Sequence, residues 1–134
     1  MSKKSERYGV EIINIEYIEL QKKEWFNKLL EAEFKGKDII VHQLENSNVI
    51  YEENYSYISI KIHVNEDFEK YPYEVRVPVE MRAFQKNLAP IVFMLHIIDG
   101  LVNELEIFTA DLSLIDAKNI SLDNVEFIID NIVG

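Results

Sequence analysis

Three histidines, His42, His63 and His96, are the side chains best suited to proton transfer or metal binding near neutral pH. They stand singly and share no metal-ligand spacing, such as two histidines four apart on a helix. His96 is the informative one. It sits in Ile91-Val-Phe-Met-Leu-His-Ile-Ile98, which is followed by Asp99-Gly100 and then Leu101-Val-Asn-Glu-Leu-Glu-Ile-Phe108. Asp-Gly between two β-rich runs predicts a hairpin, because a type I′ turn requires positive φ at both central residues. Counting outward from that turn sets Ile98 against Leu101, His96 against Asn103, Met94 against Leu105 and Val92 against Ile107, on the side assigned to the core. An imidazole facing an amide there could satisfy it or poise a pocket, which makes His96 and Asn103 a candidate binding pair. The plainer reading is a partly buried histidine, hydrogen-bonded for structural reasons.

Other chemistry finds little support. Asp99, Glu104 and Glu106 lie near one end of the hairpin, and paired carboxylates do acid–base work when burial splits their pKa values. Glu104 and Glu106, however, alternate outward on one strand, and turn geometry accounts for Asp99. The four glycines, at 9, 36, 100 and 134, form no phosphate-binding loop and no nucleophile elbow. The absence of cysteine removes disulfides, thiolate metal sites and cysteine nucleophiles together. The sequence is therefore read as that of a non-enzyme with no catalytic residues, no metal site and no cofactor. Tyr51, Tyr55, Tyr57, Tyr71 and Tyr73 gather around the first strands with Glu52 and Glu53, a composition that suits an interface because tyrosine gives contact area at low entropic cost. Tyr51, Tyr55, Glu52 and Glu53 join His96 and Asn103 as candidate binding residues, although some of the tyrosines could equally line the rim of the core.

Composition limits the partners. With 24 acidic and 14 basic residues the formal net charge is −10, which slows approach to phosphate backbones and favours basic proteins. Nucleic acid is not expected as a ligand, and solubility alone would also explain the charge. At 134 residues and 48% hydrophobic content, residues 1–134 are expected to form a single domain. Acidic and polar residues interrupt the apolar run after Tyr8 that a signal peptide would need, and no apolar stretch reaches membrane-spanning length. A cytoplasmic, bacterial-type protein without membrane contact is the expectation.

These residues must be positioned by a mixed set of elements. Trp25, Phe26, Leu29, Leu30 and Phe34 recur at helical spacing between Leu20 and Phe34, with Gly36 as a stop. Lys37 to Leu44 reads as a second, short helix that turns Ile40, Val41 and Leu44 inward, and Glu45 to Asn48 as a turn. Residues 10–18 fit neither period and could be a strand or an extended lead-in. Ile58, Ile60, Ile62 and Val64 then alternate with polar residues, as do Tyr73, Val75, Val77, Val79 and Met81, so two strands are predicted. Pro78 argues for an edge, a bulge or an outward-facing position in the second of these. The run from Ile91 to Ile98 is apolar on both faces, which predicts a central strand whose second face is partly covered. Ser121 to Val133 suits a helix capped by Ser121, although Val125 to Ile129 also has strand composition. The expected fold is α+β, with one or two N-terminal helices packed on an antiparallel β-meander of about four or five strands.

From Pro90 to Asp111 the chain resembles a group of small uncharacterised bacterial proteins marked by a Leu-His-Val-Val-Asp-Gly-Tyr-Leu-Asn-Glu-Leu-Glu-Ile run. Arg76-Val-Pro-Val-Glu80 and the region from Trp25 to Gln43 are similar to them as well. This chain departs in carrying Leu101 where an aromatic is common and Leu112 where a glycine often follows the aspartate. The resemblance implies kinship and no particular activity. Function is therefore read from charge and composition: a protein-interaction domain, specifically an immunity-type inhibitor that sequesters a basic toxin. The alternative is a small-molecule-binding protein or enzyme with a site between helix and sheet, lined by His96, Asn103 and tyrosines. A homodimer that pairs the spare apolar face is a third reading.

Overall fold

The computed structural model describes residues 10–14, 20–53 and 56–130. Its elements run β1 (Val10–Asn14), α1 (Leu20–Leu29), α2 (Lys37–Glu45), β2 (Ser47–Glu53), β3 (Tyr57–Val64), β4 (Val79–Ala83), β5 (Ile91–Ile98), β6 (Leu101–Thr109), a short 3₁₀ turn (Ala117–Asn119) and β7 (Val125–Ile129). The α+β expectation holds, with more strands than the four or five anticipated. Among the described residues seven strands form one antiparallel sheet in the order β1-β2-β3-β6-β5-β4-β7. This is not one meander. Two three-stranded meanders lie side by side through the β3–β6 pairing, and β7 is added outside β4.

Both helices cover one face of the sheet. Trp25, Phe26 and Leu29 of α1 are buried, and the Trp25 ring meets Phe93 of β5 edge-on at 6.1 Å between centroids. Ile40 and Leu44 of α2 join the same core, opposite Ile58, Ile60 and Ile62 of β3, Phe93, Leu95 and Ile97 of β5, and Leu105 and Ile107 of β6. Phe34 is buried but lies beyond α1, which ends at Leu29, because the chain turns there to reach Gly36. Gly36 holds φ +79°, and a Cβ at that position would come within 2.5 Å of the Tyr71 ring. Only glycine meets both conditions.

Three elements differ from the sequence reading. The strand expected over Tyr73–Arg82 enters the ladder only at Val79, because Pro72 and Pro78 offer no N–H; residues 73–78 run irregularly, with the Arg76 carbonyl accepting the Ile97 N–H at 2.7 Å. The expected turn at Glu45–Asn48 is already strand from Ser47, since β2 pairs along all of β3 from Ser47–Val64 to Glu53–Ile58. The C-terminal segment is not a helix over its described part. Val125–Ile129 is a strand that pairs with Val79–Ala83, so a sheet edge outweighs a helical spacing of apolar residues.

The Asp-Gly turn forms as expected, with φ +52° at Asp99 and +80° at Gly100. The pairing expected beyond it holds for two steps only. Ile98 faces Leu101 and Ile97 faces Val102, but a bulge then places His96 opposite Glu104 and leaves Asn103 without a partner in the ladder. Every pair from there to Ile91–Thr109 is moved by one residue, which brings Leu105 and Ile107 to the same face as Val102. Phe93, Leu95 and Ile97, rather than Val92, Met94 and His96, meet the helices, because Ile97 and Val102, and not Ile98 and Leu101, are the buried pair beside the turn. The cause is legible in β6. Val102 and Leu105 are both buried, yet they are three residues apart, and only an extra residue brings them to one face of a strand.

Candidate functional site

His96 lies on the open face of the sheet, away from the helices, because its neighbours Leu95 and Ile97 face them, and there it meets charge. Its Nε2 lies 2.8 Å from the Glu106 carboxylate, and the Arg76 Nε donates to its Nδ1 at 3.2 Å. An arginine can only donate, so Nδ1 is the acceptor and the ring proton sits on Nε2, directed at Glu106. One strand over, the Ser59 hydroxyl donates to Glu104 at 2.6 Å, and Lys61 pairs with the same carboxylate at 3.5 Å. Cross-strand register produces this arrangement. Ser59 faces Glu106 and Lys61 faces Glu104 across β3–β6, while His96 faces Glu104 across β5–β6.

The same rows extend outward. Glu52 of β2 lies opposite Ser59; Glu80 of β4 lies opposite Met94 and Arg82 opposite Val92; Glu126 of β7 lies opposite Arg82, which also bonds Glu80 at 2.8 Å. Among the described residues no helix lies on this face. Its side chains still shield one another, since Ser59 is 1% exposed and Val92 4%. Val92 sits between Phe108 and Arg82, so the second face of β5 is partly covered by neighbouring side chains rather than by another element.

The residues selected from sequence do not converge. His96 and Asn103 are not a pair, because Asn103 is the bulge residue. Tyr51 and Glu53 turn toward the helix side of β2 and bond one another, the Tyr51 hydroxyl donating to the Glu53 carboxylate at 2.6 Å, whereas Glu52 between them turns to the open face. Tyr55 lies outside the described residues. Tyr57 reaches the open face opposite Phe108, while Tyr71 and Tyr73 stack edge-on at 5.2 Å at the hairpin end of the molecule. Tyr71 is buried, its hydroxyl donates to the Lys35 carbonyl at 2.6 Å, and burial pushes its pKa up to about 12, with Tyr73 and Asp130 contributing by charge.

The space between helices and sheet, where a ligand site was the alternative expectation, is filled by Trp25, Leu29, Ile40, Leu44 and the strands beneath them. Among the described residues, open clefts lie at the margins instead. One, of about 510 Å³, is bounded by residues 70–76 and the turn from Ile97 to Gly100; another, of about 620 Å³, separates α1 from residues 119–123. His96 and Asn103 line neither. Among the described residues no group of three or more His, Cys, Asp or Glu side chains is placed to hold a metal ion, and no helix is long and apolar enough to cross a membrane.

Two glutamines that the sequence did not single out organise the structure around the site. Gln43 of α2, fully buried, donates through Nε2 to the carbonyls of Glu69 and Gly100 at 2.8 and 2.9 Å, and its Oε1 accepts the Val102 N–H at 2.8 Å. Gln85 similarly bonds the Ala83 and Ser121 carbonyls and accepts the Ser121 N–H at 3.0 Å, which ties the approach to β7 onto the end of β4. A glutamine within an apolar helical stripe, as Gln43 is between Ile40 and Leu44, was the available signal. A scan against protein-family models, a comparison with curated proteins and a comparison with solved structures each found no match.

Proposed function

We propose that this chain is a protein-interaction domain whose open sheet face receives a basic partner, in the manner of an immunity-type inhibitor that neutralises a cationic protein. The observation that carries the reading is the row structure of that face: the carboxylates of Glu52, Glu80, Glu104, Glu106 and Glu126 outnumber the cations Lys61, Arg76 and Arg82 beside them, on a chain whose net charge is −10. Glu104 and Glu106 are already held, one by Ser59 and Lys61, the other by His96. Carboxylates fixed before association lose less conformational freedom on binding, and they suit bidentate arginine. Complementary charge also raises the rate of encounter with a basic surface.

The test is a binding measurement on the basic protein retained by the tagged chain from its own cell extract. Glu104→Gln with Glu106→Gln should weaken binding at least tenfold and flatten its dependence on salt, while Glu31→Gln with Glu33→Gln, on the helix side, should leave it unchanged. An acidic partner, or equal binding by both double variants, would refute the reading.

A further inference from the structure

The β7 strand ends the sheet, and its outer side is free among the described residues. Its bonding parity is fixed by the two hydrogen bonds that flank it, from Phe84 N–H to the Asn124 carbonyl and from Asp130 N–H to the Pro78 carbonyl. In an antiparallel ladder the residues that bond one neighbour recur at every second position. Asn124, Glu126, Ile128 and Asp130 therefore turn their main-chain groups toward β4, and Val125, Phe127 and Ile129 turn theirs outward. Natural sheets guard such an edge with lysine, proline or a bulge. Here the strand is Val-Glu-Phe-Ile-Ile, regular along its length, with Ile128 and Ile129 each 41% exposed.

We propose that a second copy of this chain occupies that edge, pairing β7 with β7 antiparallel about a twofold axis at Phe127 to give one sheet continuous through both subunits. Charge selects this register. Outward-bonding residues must pair with one another, which leaves three registers of substantial overlap. Centring the axis on Glu126 sets Glu126 against Glu126, and centring it on Ile128 sets Glu126 against Asp130; both place like charges directly opposite, which destabilises a strand pair. Centring it on Phe127 sets Val125 against Ile129 and Glu126 against Ile128, and it brings the Asn124 amide against the Asp130 carboxylate. It is also the register in which all three outward residues bond, giving about six hydrogen bonds across the junction. The self-complementary spacing of one charge and its apolar neighbours is what identifies a second copy as the occupant.

The chain contains no cysteine, so a single introduced cysteine reports the geometry directly. Phe127→Cys should form an intersubunit disulfide under mild oxidation, because the axis sets the two Cα atoms about 5.5 Å apart. Ile128→Cys should not, since it lies diagonally from its own copy, beyond the roughly 7 Å limit for a bridge. Light scattering of the unmodified chain should show twice the 15.8 kDa chain mass at hundreds of micromolar, more completely at high salt because both subunits are acidic. Ile129→Pro removes only an outward N–H and should give a folded monomer. A monomer mass for the unmodified chain overturns the proposal, as does a dimer that survives Ile129→Pro. Cross-linking through position 128 in preference to 127 overturns the register. Because association here strengthens with salt while capture of a basic partner weakens, the two readings fail separately.

Discussion

The side-chain carbonyl of Gln43 accepts the main-chain N–H of Val102 at 2.8 Å, and the same amide donates to the carbonyl of Gly100. Gly100, the last turn residue, and Val102, near the start of β6, lie where β3 has already diverged: the last β3–β6 pair is Lys61 with Glu104. The glutamine amide thus stands in for the missing strand, giving the buried Val102 N–H its acceptor and adding a second donor to the Gly100 carbonyl, which also accepts the Tyr71 N–H at 2.8 Å. Gln43→Leu should cost about 1–3 kcal/mol, since the buried Val102 N–H is left without an acceptor, whereas the Gly100 carbonyl still accepts the Tyr71 N–H. Gln43→Glu should be no better, because a carboxylate cannot donate to two carbonyls. Denaturant unfolding measures both costs, and faster amide exchange at Val102 would locate the defect; a glutamate variant as stable as the parent would contradict the account.

Asn103 is extra to the β5–β6 ladder, since Val102 faces Ile97 and Glu104 faces His96 on either side of it. Deleting it leaves both flanking pairs and both faces unchanged. The deletion variant should fold, with a loss below about 2 kcal/mol, whereas a residue inserted between Leu105 and Glu106 should slip the strand and turn Ile107 out of the core. Cross-strand nuclear Overhauser contacts between positions 96 and 104 report the outcome, and their loss in the deletion variant would show that the bulge sets the pairing rather than accommodating it.

Leu112 holds φ +62°, a conformation that costs a residue with a side chain about 1–2 kcal/mol, and that side chain is 72% exposed, so packing returns little. Leu112→Gly removes the strain at the expense of greater freedom in the unfolded chain. A net gain near 1 kcal/mol is expected by thermal or urea unfolding. A clear loss would mean that the leucine makes a contact worth more than the strain.

The Tyr71 hydroxyl, with its pKa raised from about 10 to about 12, makes stability depend on alkaline pH. Below pH 10 both folded and unfolded states keep the proton, and the stability gained from the neutral hydroxyl is complete. Between pH 10 and 12 the unfolded chain releases the proton first, so stability falls as pH rises. Tyr71→Phe should lose the hydrogen bond to Lys35 at all pH values and flatten this part of the profile. Ultraviolet titration of tyrosinate provides an independent check, because Tyr71→Phe should remove a component that ionises late.

The sequence by itself determined the features set by neighbouring residues. Asp99-Gly100 accepts positive φ at both positions and so made the turn. Ile40 and Leu44 fall on one face of a helix, and the alternation from Ile58 to Val64 gave β3 its buried side; these follow from backbone preference and a repeat of two or 3.6 residues. Even the bulge was written in the three-residue gap between Val102 and Leu105, although reading it required knowing that both are buried. Tertiary structure decided the rest. Val125–Ile129 has apolar residues that fit a helix or a strand, and it became a strand because β4 presents an edge from Val79 to Ala83. Residues 73–78 alternate as a strand should, yet two prolines withhold the hydrogen bonds that a neighbouring strand would need. The meeting of His96 with Arg76 and Glu106 depends on β6 lying beside β5 in one register and on residues 73–78 crossing their end. Such pairings are fixed by partners distant in the chain, whose energies exceed the small local preferences of either segment.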